Sequence, residues 1–420
     1  MNYKVNPMMY GVSNNFINAI RFAIEFVDDI DEEALRYAVS QVGKRYPYFK
    51  VRLERQGEEY ILTDNEKPFV ISGENAAVCL GSEESNYHLL TFAYRGDTVS
   101  VDVSHGICDG NGIAPMVKTL AYYYIEKRYG TGDIDTAAIR LVTDPVKEEE
   151  YLYPFPKTPF GIDSTFELKE KECDPMVFSD DYFDNEGSYA YNLKVLQSEL
   201  MTNAIAINGS PVSIISVMMY KTLMDLFPDN KKDIVILIPH EYRKALGKPL
   251  SHDSLTRVML AALSPESNEL PIETLNTMLR GQIILGCDEQ CDLQAINGLI
   301  RLEEYLGTMS FERKRQTIQG VLAGVMYPHT FGISYTGNIS WGGMERYIKD
   351  VHAYAAADKF SGSLELEVFA CGDYFCISLM QPGKNPAVAD MLIKKLNDNG
   401  ITCELSGEER FVLPHTALPD

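Results

Sequence analysis

The chain has 420 residues, 45% of them hydrophobic and 23% charged, enough for a large core and more than one domain. Its 38 Lys and Arg stand against 60 Asp and Glu, a formal net charge of −22; this excludes global electrostatic attraction to nucleic acid or to an anionic membrane. No run of about 18 apolar residues predicts a membrane span, and the opening MNYKVNPMMYGVSNN holds no apolar leader segment. The 8 cysteines are scattered in apolar settings such as AVCLG, as expected of reduced thiols in a cytoplasmic protein. Cys287 and Cys291 in CDEQC lack a second pair at zinc spacing.

The stretch from Asn15 to Ile30 partly alternates and is rich in Phe and Ile, which predicts a strand. Asp31 then caps a helix with acids in its first turn and Leu35, Ala38, Val39 and Val42 on one face, ended by Pro47. YFKVRLERQGEEYILTD predicts a hairpin, and YHLLTFAYRGDTVSVDVSHG a second one turning at Gly96-Asp97. The helix that follows, GIAPMVKTLAYYYIEKRYG, stops at Gly130. From Asp144 to Gly187, prolines 145, 154, 156, 159 and 175 lie among acids and aromatics; this predicts a crossing segment with a lobe boundary near its end.

The second half opens with strand SYAYNLKVL and helix SELMTNAIAI. An amphipathic helix starts at Pro211, and strands DIVILIPHEYR and TRVMLAALS follow. Residues 271–325 read as almost wholly helical, with the basic cluster FERKRQ as a solvated face. HTFGISYTGNIS is a strand entering a loop, YIKDVHAYAAA another strand, and LELEVFACGDYFCISLM a pair turning at Gly372-Asp373. A helix ending at Gly400 and a short strand close the chain. The mixed order of elements argues for α+β layers rather than regular βαβ winding.

One stretch carries chemistry. In SVDVSHGICDGNGIAPMV, Val99, Val101 and Val103 alternate inward, and His105 continues that phase into a polar turn before a helix. A neutral imidazole held there serves as a general base near pH 7. Asp109 and Gly110 follow at the helix mouth, and Gly106, Gly110 and Gly112 permit close backbone approach. Three other arrangements fit the same residues. His105 is then a satisfied core histidine with Asp109 merely a cap; or His105, Cys108 and Asp109 bind a metal, for which no fourth ligand is evident; or Cys108 is a thiol nucleophile beside His105.

SHGICDGNG resembles the H-x-x-x-D-G motif of the chloramphenicol acetyltransferase-like superfamily, which includes alcohol acetyltransferases, plant acyltransferases and condensation domains. FAIEFVDDIDEEALRYAVSQVGKRYPYFKVRL, IVILIPHEYRKALG and ISYTGNISWGGMERYI resemble further segments of that family in type and order. Two departures matter. Ser104 stands where condensation domains usually carry a second His, and the plant enzymes' D-F-G-W-G is absent, with only SWGG nearby.

The resemblance implies an α+β fold of two chloramphenicol acetyltransferase-like lobes with mixed sheets, 1–180 and 181–420, and an active-site channel between them. It implies a CoA-dependent O- or N-acyltransferase closest to the alcohol acetyltransferases, with His105 as base, acyl-CoA as co-substrate, a small alcohol or amine as acceptor, and no bound cofactor or metal. By the same resemblance, Asp109 points away from His105 and pairs with Arg243, tying the turn to the other lobe. Oxyanion donors are expected from Gly110 and its neighbouring backbone N–H groups, and from Ser334 and Thr336. A binding protein of this fold without catalysis, and a condensation-type enzyme using carrier-bound thioesters, are the competing expectations.

Overall fold

Strand alternation decides which side chains meet the core, and here it builds three sheets. The computed structural model describes residues 2–13, 17–74, 76–130, 132–162, 173–179, 181–184, 186–325, 329–337, 340–357 and 364–419; the expected strand start at Asn15 and the loop residues 338–339 lie outside them. The largest sheet has seven strands in the order Thr256–Leu263, Ile234–Glu241, Phe331–Tyr335, Leu364–Cys371, Tyr374–Gln381, Tyr189–Leu196 and Cys403–Arg410. Phe331–Tyr335 runs parallel to both neighbours, and the other pairs are antiparallel, so the sheet is mixed.

One face of this sheet is apolar. Leu364, Leu366 and Val368, with Ile377 and Leu379, share a core with Val217 and Leu223 of helix Pro211–Leu226 and Leu392 and Leu396 of helix Ala387–Asp398. Burying each such side chain contributes roughly 2 kcal/mol. The opposite face is mixed: Glu365, Glu367 and Phe369 lie in register with Met380, Ser378 and Cys376. It turns toward the first lobe, where the Phe369 ring meets Phe22 edge to face at 5.7 Å.

The first lobe holds a five-stranded sheet, Ile348–Tyr354, Ala19–Phe26, Thr98–Ser104, Leu90–Arg95 and Ile71–Gly73. Its core joins Ile24, Val101 and Val103 to Leu35, Val39 and Val42 of helix Glu32–Arg45 and to Ile113, Val117 and Leu120 of helix Gly110–Tyr129. Strand Ile348–Tyr354 comes from late in the chain, yet pairs antiparallel with Ala19–Phe26. A small sheet of Asn2–Lys4, Glu59–Asp64 and Val51–Gln56 completes the lobe. In the five-stranded sheet Arg21 meets Asp102 across neighbouring strands through two bonds of 2.7 and 2.8 Å, both residues buried.

Local signals formed as the sequence dictates. Asp31 accepts from the Ala34 N–H at 2.7 Å, and Gly130, Gly372 and Gly400 all adopt positive φ. The helical region resolves into Ile272–Gly286, Glu289–Leu306 and Phe311–Val325. FERKRQ is solvated at Glu312, Arg313 and Gln316 as expected, but Lys314 is 1% exposed and pairs with Glu59, because the helix packs against the first lobe through Phe311 and Ile318. The closing strand is longer than expected, Cys403–Arg410. Among the described helices none is by itself long and apolar enough to cross a membrane; the bent pair Gln197–Ala206 and Pro211–Leu226 turns through 90°, and the second of these is buried against the large sheet.

Candidate active site

The alternating strand Thr98–Ser104 delivers the motif turn. Its register with Ala19–Phe26 ends at Ser104 opposite Ala19, and the His105 N–H donates to the Asn18 carbonyl at 2.8 Å. The chain then turns through 105–107 and enters the helix at Gly110. Gly106 is needed for close packing, since a Cβ there would lie 1.8 Å from Met9 Sδ. At Gly112 the obstacle is backbone: a Cβ would lie 2.0 Å from the His252 carbonyl oxygen.

His105 is half-buried, and its Nδ1 lies 3.3 Å from Ser254 Oγ. With a proton on Nδ1 donated to that hydroxyl, Nε2 carries the lone pair, the arrangement a general base requires. Asp109 does not serve the imidazole. Its carboxylate caps the helix, accepting from the Gly112 N–H at 2.8 Å. It also receives Arg243 Nη2 at 2.6 Å on Oδ1 and Arg243 Nη1 at 3.0 Å on Oδ2. The Leu255 N–H at 2.8 Å and the Thr256 hydroxyl at 2.9 Å complete the shell. Both partners of the ion pair are buried. Burial raises the Asp109 carboxyl, but Arg243 and the N–H donors outweigh it and hold it below the usual carboxylate range.

Arg243 is itself fully engaged. Nε donates to the Ser251 carbonyl, Nη2 to the Asp253 carbonyl and Nη1 to Glu241. The segment 251–256 therefore reaches both members of the motif: Ser254 touches His105, and Leu255 and Thr256 bond Asp109. Sequence reasoning missed this segment. It lies about 150 positions from the motif, and SHDSLT carries no periodicity or spacing that marks a site. Beside it, His252 is buried against Tyr48 and Phe49, at ring separations of 4.7 and 5.2 Å. Burial pulls its pKa down to about 4, against a bond from its ring nitrogen to the Glu150 carbonyl.

Cys108 is fully buried, and burial pushes its thiol far up; the nucleophilic species is the thiolate, so this environment opposes a thiol mechanism. The oxyanion candidates differ. Gly110 opens the helix, where a Cβ would lie 3.3 Å from Thr336 Cγ2. The Gly112 N–H is committed to Asp109, which leaves the Gly110 and Asn111 N–H groups as first-turn donors without a partner among the described residues. Ser334 sits opposite Glu367 in the sheet; burial pushes the Glu367 carboxyl up to about 8, against a hydrogen bond with Ser334. Thr336 Oγ1 is buried and, among the described residues, has no hydrogen-bond partner.

Elsewhere Glu25, Asp350 and His352 converge closely enough to share a cation. Lys349 already pairs with Glu25 and Lys194 lies 3.4 Å from Asp350, so this cluster reads as an ion-pair network. Cys287 and Cys291 are free thiols, Cys287 against Met259 Sδ and Cys291 against the Leu285 carbonyl.

The two lobes with their mixed sheets have the chloramphenicol acetyltransferase-like fold. Solved structures agree over nearly the whole chain. Fusarium sporotrichioides TRI101, crystallised with coenzyme A and T-2, matches at a TM-score of 0.61 and 8% identity, covering 97% of this chain and 100% of that one. Polyketide synthase associated protein 5 from Mycobacterium tuberculosis matches at 0.54 and 14%, covering 90% and 93%. The condensation domain of the Monacolin K polyketide synthase MokA matches at 0.54 and 9%, covering 95% and 97%. No sequence family and no curated protein matches the chain.

Proposed function

We propose that this protein is an acyltransferase that moves an acyl group from acyl-CoA to the hydroxyl or amine of a small acceptor, with the lobes dividing near residue 180. The carrying observation is the division of labour in the motif: Asp109 is spent on Arg243, whereas His105 keeps Nε2 available and is oriented through Nδ1 by Ser254. The likeness to TRI101 bound to coenzyme A supports the donor class.

In this mechanism His105 Nε2 takes the proton from the acceptor as its oxygen or nitrogen attacks the thioester carbonyl. The tetrahedral oxyanion accepts hydrogen bonds from Thr336 Oγ1 and the first-turn N–H groups at Gly110 and Asn111. Collapse breaks the C–S bond, and the imidazolium returns its proton to the leaving thiolate. The donor is already activated, so no acyl-enzyme forms. The Asp109–Arg243 pair fixes where the turn sits and acts as a positioning element.

The test is acceptor-dependent thiol release from acetyl-CoA across a mixture of small alcohols and amines. Release that requires an acceptor and vanishes in His105→Ala supports the proposal. CoA binding with no turnover on any acceptor points instead to a binding protein of this fold, and turnover only with carrier-bound acyl groups to a condensation-type enzyme.

A further inference from the structure

Beside the motif turn lies a pocket of about 590 Å³ whose wall includes Asn111, Pro115, Arg140, Arg243, Lys244 and Thr336. Its cations are unevenly matched. Arg243 is taken by Asp109 and Glu241, and Arg140 lies 3.3 Å from Glu150. Lys244 has no carboxylate partner among the described residues. Glu241, the one acid in the wall, is bound by Arg243 and Asn111.

A second lysine lies just beyond the lining residues, on the helix that supplies Asn111 and Pro115 to this wall. Lys118 follows Asn111 by seven residues and Pro115 by three, which sets it on the same face of helix Gly110–Tyr129. It is half-buried, and among the described residues no acceptor or carboxylate meets it. Burial first, and then the neighbouring Arg140, pull its ammonium below the usual lysine range. An unpaired, partly desolvated cation beside another cation is costly to hold. In a chain of net charge −22 carboxylates are plentiful, yet none is set opposite Lys118. An incoming anion supplies what is missing, and a lysine's compact charge on a flexible stem suits a phosphate.

We infer that this pocket binds phosphate, with Lys118 and Lys244 as its ligands. The inference rests on the acyl-transfer proposal only for the source of the phosphate, which is either the nucleotide end of the acyl donor or a phosphorylated acceptor. Thr336 lines the pocket and packs against Gly110 at the end of the motif turn, so a ligand held here lies beside that turn.

The experiment is calorimetric titration of the full chain with CoA, pantetheine and inorganic pyrophosphate, for the parent, Lys118→Gln, Lys244→Gln and Lys118→Arg. Neither lysine is part of the proposed catalytic machinery, and melting temperatures establish that the variants fold. Lys118→Gln is expected to raise the Kd of pyrophosphate roughly tenfold, as loss of a charge-assisted bond does, and Lys118→Arg to restore most of it. If the donor supplies the phosphate, CoA weakens in parallel, pantetheine is unaffected, and pyrophosphate competes with CoA. If the acceptor supplies it, CoA binding is unchanged and pyrophosphate does not compete. Pyrophosphate and CoA affinities unchanged in both glutamine variants overturn the pocket. Pyrophosphate binding with no binding of CoA or pantetheine supports the pocket and overturns the acyl-CoA proposal.

Discussion

Removing the Asp109 carboxylate is the sharpest structural perturbation available. In Asp109→Ala the Arg243 guanidinium stays buried without its counter-ion, and the Gly112 and Leu255 N–H groups and the Thr256 hydroxyl lose their acceptor. Stranding one charge of a buried pair costs about 3–5 kcal/mol. Glu241 and the Ser251 and Asp253 carbonyls remain on Arg243, which places the cost toward the lower end of that range. An unfolding entropy of about 2.1 cal/mol/K per residue makes this a drop of roughly 3–5 °C in Tm for a chain of this length. Differential scanning calorimetry at pH 7 measures it. Arg243→Ala should fall similarly, and the double variant should lose less than the sum of the two, because neither charge is then left alone. His105→Ala removes only a half-exposed ring and should melt within about 1 °C of the parent. Additive losses in the double variant, or an Asp109→Ala protein as stable as the parent, would refute the reasoning.

Other outcomes follow from the same contacts. The folded-state pKa of Asp109 is depressed, so its contribution is present above the unfolded value of about 3.8 and is lost as pH falls through the folded value; the Tm gap between parent and Asp109→Ala should hold from pH 8 to 5 and narrow below about 4. His252 is depressed to about 4, so its stabilisation is complete above its ordinary value near 6.5 and declines as pH falls toward 4. A His252→Phe protein should show a flatter melting profile across that window. Gly112→Ala should destabilise more than Gly106→Ala, although the Gly106 contact is shorter, because Met9 is a flexible side chain and the His252 carbonyl is fixed backbone; equal melting temperatures would contradict this. Cys108→Ala should keep most of the activity, and native Cys108 should resist alkylation at pH 7.

Much of the fold was legible because its signals are local. Asp31, Gly130 and the Gly96-Asp97 and Gly372-Asp373 turns act within a few residues of where they stand, and the strands they bound formed as expected. Partner choice is not local. The alternation in YIKDVHAY announces a strand, but nothing in those letters says that it pairs with Ala19–Phe26, more than 320 positions away. Lys314 likewise reads as one charge in a basic run until the fold brings Glu59 to it. At the site, His105, Asp109 and the glycines form a contiguous pattern and stood out. Arg243 was reached only through a family likeness, and Ser254 not at all, since a lone serine in a loop has no periodic or compositional mark. Extending the Val99–Val103 phase points His105 inward, but the strand ends at Ser104 and the turn leaves the residue half-buried.

The central claim is that His105 removes the acceptor's proton during acyl transfer. Its most direct measurement is kcat/KM for CoA release with an active acceptor, compared between the parent and a His105→Ala protein of unchanged melting temperature. A fall of roughly 100-fold or more is the result expected for loss of a positioned general base; a folded His105→Ala enzyme with undiminished kcat/KM would contradict the claim.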